Sequence, residues 1–186
     1  MEALTDSELL QTFSGWLRGM GDDVLGLARV LEAEQAPGSA RQVCAESLGY
    51  LLRSLELIPE GLEDLGYLDA AFAVRVLCQG ALQRDSDLGA AEGGERLARL
   101  AAEADVVAEF LGDGFEPLRE IVFSPRATSL HGLGADELLA DSELRLAALS
   151  EVRSWVENYG APKLGDGQEE LVKIRSFFRT RLRREA

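Results

Sequence analysis

Histidine is all but missing from these 186 residues: His131 is the only one. Catalysis of the Ser/His or Cys/His kind would have to run through it. It stands in Ser129-Leu130-His131-Gly132-Leu133-Gly134, which has no nucleophile-elbow pattern, so we read it as a solvated loop residue. Cysteine is nearly as scarce, and Cys44 and Cys78 match no metal or redox spacing. Both are expected to be reduced core thiols. Aromatic residues make up only 6% of the chain, while Leu and Ala dominate the apolar set. Strands favour β-branched and aromatic side chains, so helix packing is expected instead of a sheet. Long apolar runs are missing too. The most apolar stretch, Leu68–Leu82, is interrupted by Arg75 and falls short of the roughly 20 residues of a membrane span. The start, Met1 to Asp6, has neither a basic nor an apolar export region, so a soluble, cytoplasmic protein is expected.

What is present is ordinary globular composition, 46% hydrophobic and 28% charged, in a length that suits one domain over 1–186. The formal net charge of −14 is unevenly spread: residues 171–186 hold six basic residues and one acid, or +5, which leaves −19 on residues 1–170. An acidic body repels nucleic acid and anionic headgroups. No nucleic-acid partner is expected, and membrane contact only through the tail.

Thr5 and Glu8 have the spacing of a capping box. Leu9, Phe13, Trp16, Leu17, Met20, Val24, Leu27 and Leu31 then recur every three or four residues, one apolar face of a helix. Gly19 and Gly21 interrupt it and Asp22 is a good N-cap, so two helices meeting there are expected in preference to one kinked helix. Gly15 and Gly19 have a small-xxx-small spacing that suits close packing. Further helices are expected over about 40–57, 67–83, 95–111, a short one after Pro117, 142–159 and 168–184. The helix at 67–83 is apolar nearly all round, the mark of a central element. The fold expected is all-α, a compact bundle of seven or eight helices with a Pro/Gly elbow before the central helix.

That elbow, Leu57–Asp69, is the most unusual stretch. Pro59 and Gly66 set the turn, and Glu60, Glu63, Asp64 and Asp69 crowd it with carboxylates, with Glu56 just upstream. Asp64 and Asp69 would serve as caps of the central helix. Arg75, the one charge in Ala70–Leu82, needs a partner if its helix is buried. Glu56 or Glu60 is the expected partner.

Tyr50-Leu51, Leu57-Ile58-Pro59 and Leu65-Gly66-Tyr67-Leu68-Asp69 together resemble the YkvA-like family of small bacterial proteins of unknown function, over about residues 41–83. The resemblance implies a helix–elbow–helix core and no activity, since the family has no settled one. Glu56 and Glu60 stand where its pattern has aspartates, and Ala70 replaces the second Asp of its closing pair. That loss weakens a metal or acid/base dyad.

No EF-hand spacing and no Glu-x-x-His occurs, so neither cofactor nor metal is expected. Neither Gly-x-Gly pair follows a strand, so no phosphate cradle is expected. The C-terminal helix carries Leu171, Ile174, Phe178 and Leu182 on one face and basic residues elsewhere. It is expected to dock on its own acidic bundle, with membrane or partner contact through Lys173, Arg175, Phe178, Arg179, Arg181 and Arg183 as the rival. The reading of the whole is a non-enzymatic protein-interaction or regulatory module with a protein partner. A peripheral membrane protein and a metal-dependent enzyme using the elbow acids are the alternatives. A homodimer stays open, because so many apolar stripes can exceed what one bundle buries.

Overall fold

The computed structural model describes residues 4–56, 63–90, 93–125, 127–129 and 132–185. Among them run eight α-helices: α1 (Asp6–Glu32), α2 (Gly38–Glu56), α3 (Glu63–Arg84), α4 (Gly94–Leu111), α5 (Phe115–Val122), α6 (Ala135–Ala140), α7 (Ser142–Asn158) and α8 (Gln168–Glu185). Short 3₁₀ turns at Ser86–Gly89 and Gly112–Gly114 flank α4, and the described residues contain no strand. The all-α bundle expected from composition is the observed fold.

Helix α1 opens on its capping box: the Thr5 amide donates to Glu8 Oε2 (2.8 Å), and the Glu8 amide donates to Thr5 Oγ1 (3.3 Å). It then runs unbroken for 27 residues, so the expected division at Gly19–Gly21 is wrong. Two glycines cost a helix about 1 kcal/mol each. Here a continuous buried stripe from Leu9 to Leu31 outweighs that, and Asp22 caps nothing. Close packing at the Gly15/Gly19 pair is also wrong: a Cβ at Gly19 would meet nothing within 4 Å. The close approach lies further on. A Cβ at Gly26 would overlap the Arg96 side chain, and one at Gly80 would overlap the Phe123 ring.

Helix α3 is central, as its all-round apolar pattern implied. Every residue from Leu68 to Cys78 is buried, with α1, α2, α4, α5 and α8 packed around it. Helix α7 lies against α1, and α6 lies against α2. Helix α6 has no counterpart in the sequence reading; it is too short for a period to show, and only Ala135 and Leu138 are buried.

Helix α8 is seated in the bundle. Leu171, Ile174, Phe178 and Leu182 are all buried, and Phe178 stacks on Phe72 with centroids 4.7 Å apart. Phe72 in turn meets Phe13, Trp16 and Phe110, joining α1, α3, α4 and α8 at one aromatic node. Aromatic edges and faces attract one another beyond simple area burial. Most of a scarce residue class is spent on this junction and on one surface groove.

Candidate functional site

Pro59 and Glu60 lie outside the described residues, as do the side chains of Glu56, Glu63 and Asp64, while Gly66, expected to set the turn, lies inside α3, which already begins at Glu63. The elbow acid that is described, Asp69, does not cap α3. It sits nearly two turns into the helix at 0% exposure. Its Oδ2 accepts from the Tyr50 hydroxyl at 3.1 Å and lies 3.0 Å from Arg181 Nη2. Burial, with the neighbouring carboxylate adding to it, pushes the Tyr50 hydroxyl well above its ordinary range. Asp69 thus ties α2, α3 and α8 together.

Arg75 is buried as expected, but its described partners are not the elbow acids. Its Nη2 lies 2.6 Å from Glu103 Oε2 on α4 and 3.8 Å from Asp23 Oδ2 on α1. Its Nη1 donates to the Ala71 carbonyl at 3.0 Å. The guanidinium carbon stands 3.9 Å from the centre of the Trp16 ring, a cation–π contact. Asp23 also pairs with Arg96 (2.8 Å) and Arg99, and Arg99 reaches Glu103 at 2.7 Å. Burial lowers the Arg75 pKa, and Glu103 and Asp23 pull it back up. Three guanidiniums and two carboxylates share this cluster. Two sequence signals could have found it. Asp23 lies three residues after Met20 and four before Leu27, and Glu103 lies three after Leu100 and four before Val107. Both are charges on apolar stripes, as Arg75 is.

The basic residues of α8 divide. Lys173, Arg175, Arg179 and Arg183 are exposed, whereas Arg181 turns inward to Asp69 and Tyr50. Phe178 is 1% exposed, so it belongs to the core and not to a partner or membrane surface. The cysteines are both buried and free, and burial pushes the Cys44 thiol up and the Cys78 thiol up to about 12. His131 lies outside the described residues. Among the described residues no group of three His, Cys, Asp or Glu is placed to hold a metal ion, and no helix is long and apolar enough to cross a membrane.

One accessible concave feature among the described residues is a groove of about 680 Å³ between α7 and the facing parts of α2 and α3. Its walls include Leu52, Tyr67, Glu151, Trp155, Asn158 and Tyr159. The three aromatic rings form one cluster: Trp155 stacks on Tyr159 at 4.7 Å, and Tyr67 meets Tyr159 edge-on at 5.2 Å. The Tyr159 hydroxyl donates to the Leu17 carbonyl at 2.7 Å, which fixes the end of α7 on α1. Sequence reasoning missed this groove, because Tyr67 and Trp155 stand on helices whose contact no local pattern encodes. One network is buried around Asp69, a second joins buried Arg75 to the half-exposed Arg96 and Arg99, and an aromatic groove with an acid in its wall faces solvent.

No protein-family model matches the chain, and no curated protein or solved structure matches it either.

Proposed function

We propose that this chain is a non-enzymatic helical module that receives a basic segment of a partner protein in the Tyr67–Trp155–Tyr159 groove. The observation that carries the reading is the groove's composition: three clustered aromatic rings, one carboxylate at Glu151, and no basic residue among the described residues of its walls. Aromatic faces attract cations, and Trp and Tyr are enriched among the side chains that anchor a partner. The groove also belongs to a body carrying −19 over residues 1–170, which draws a cationic segment toward it. Asp69, one of the elbow acids, and Arg75 are spent on joining helices. Kinship of the 41–83 stretch with the YkvA-like family stays a proposal beside this one and adds no activity to it.

The test is calorimetric titration of the full chain with a short Arg/Lys-rich peptide, repeated on Trp155→Ala and on Glu34→Gln, an exposed acid outside the groove. The reading expects Trp155→Ala to weaken binding about tenfold or more, as loss of an aromatic anchor does, and Glu34→Gln to leave it unchanged. Equal affinity in the wild type and Trp155→Ala would overturn it, and so would an absence of binding to the wild type.

A further inference from the structure

We infer that the outward face of α8 is a second docking surface, fitted to an anionic phospholipid membrane and used while the helix stays seated in the bundle. The inner stripe of α8 is occupied: Leu171, Ile174, Phe178 and Leu182 are in the core, and Arg181 is held by Asp69. That removes the usual mode of a basic amphipathic helix, insertion of its apolar face among acyl chains. What is left outside is Val172, Lys173, Arg175, Ser176, Arg179, Thr180 and Arg183, all exposed. These positions extend over about 16 Å of helix at 1.5 Å per residue. From Leu171 to Arg183 no acid interrupts them.

Two charges on this face, Arg179 and Arg183, are available. Arg179 and Arg183 make no ion pair among the described residues. Arg175 meets Asp6 at 3.6 Å and lies 5.3 Å from the centre of the Phe110 ring, and Lys173 is partnered, with Glu170 at 3.4 Å among its contacts. The Arg175–Asp6 pair is exposed on both sides, and pairs of that kind are weak and exchange readily for other anions. Val172, at 60% exposure, is one of two large apolar side chains among the described residues left out in solvent, and it lies at the head of the same face. A flat cationic strip with an apolar residue at one end matches phosphate headgroups above an apolar layer. It offers neither the pocket an acidic protein motif would need nor an exposed ring on which a base could stack.

The acidic body does not oppose this contact. Screening limits electrostatic reach to about 8–10 Å in physiological salt. A chain of this length has a radius of gyration near 16 Å. Most of the −19 on residues 1–170 therefore lies beyond the distance at which it feels a surface touching α8. The same charge makes the contact one-sided, since the rest of the body is acidic, and the groove on α7 and α3 lies apart from it.

The experiment is co-sedimentation of the full chain with phosphatidylcholine vesicles, with and without phosphatidylglycerol. The wild type is expected to pellet only with the anionic vesicles and to be released by salt. Arg179→Glu with Arg183→Glu is expected to lower partitioning by more than tenfold, since each near-surface cation contributes about fivefold, with an unchanged melting curve. Trp155→Ala is expected to pellet like the wild type, which separates this surface from the groove. Asp69→Asn, which loosens the seat of α8, is expected to leave vesicle binding unchanged; a large increase would mean that the helix binds by leaving the bundle and would overturn the seated mode. Pelleting with neutral vesicles, retention by the double charge reversal, or binding to polyglutamate without binding to either vesicle would each overturn the membrane assignment.

Discussion

Arg75 on α3 stacks its guanidinium over the Trp16 ring of α1, 3.9 Å from the ring centre, while the same group meets Glu103 of α4. One side chain therefore joins the central helix to two neighbours at once. The cluster around it holds three guanidiniums (Arg75, Arg96, Arg99) against two carboxylates (Asp23, Glu103), so its members are not equally replaceable.

Asp23→Asn leaves three cations facing one carboxylate, and is expected to cost about 3 kcal/mol in urea unfolding, as breaking a buried pair does. Arg75→Met leaves two against two and fills most of the volume, so it is expected to cost about 1 kcal/mol. The reverse order of the two costs would show that Asp23 is not the hub.

Two glycines of α1 should respond in opposite directions. Gly19→Ala adds a methyl group where nothing lies within 4 Å, and is expected to stabilise the fold by about 0.5–1 kcal/mol. Gly26→Ala displaces Arg96 from Asp23 and is expected to destabilise by about 1–2 kcal/mol. A double-mutant cycle with Arg96→Ala should remove most of the Gly26→Ala penalty, because the displaced side chain is then gone.

Removal of α8 is expected to damage the fold. A chain ending at Gly167 uncovers the surface buried by Leu171, Ile174, Phe178 and Leu182, each worth about 1.5–3 kcal/mol. It also leaves Asp69 without Arg181. The expected outcome is strong binding of a hydrophobic dye and loss of a cooperative melt. A truncated chain that melts like the full one would show that α8 is not seated.

Cys44 and Cys78 are at 0% exposure, and their thiols are held protonated by burial. Reactivity follows the thiolate and its access. Neither should react with a thiol reagent in the native protein at neutral pH, and both should react at once in guanidinium. Rapid labelling of the native chain would contradict the burial of α2 against α3.

Glu46 supplies a pH test. Burial raises its carboxyl pKa, with Asp136 adding to the rise and Gln42 and Arg84 opposing it. A carboxyl whose folded pKa lies above its unfolded one binds protons more tightly in the native state. Its ionisation therefore subtracts stability as pH rises through that range. Glu46→Gln is expected to raise the melting temperature at neutral pH, and the gain should shrink as both proteins are taken to acid pH.

Much of the fold was legible beforehand because helical periodicity is a local property. Leu9 through Leu31 declared one face, Ala70 through Cys78 declared burial on every side, and Arg75 in that stretch declared that a counter-charge must exist. The backbone repeat of 3.6 residues alone dictates these. It does not dictate which face meets which. Asp23 and Glu103 answer Arg75 from α1 and α4, Arg181 answers Asp69 from the last helix, and Tyr67 finds Trp155 across a groove. Those choices depend on how eight stripes pack at once, a many-body outcome of volume and shape that no single segment contains. The same packing decided that α1 runs straight through its glycines. Helix class, central element and unmet charge were thus written in the sequence; the partners of that charge, and the aromatic groove left open to solvent, were decided only when the helices met.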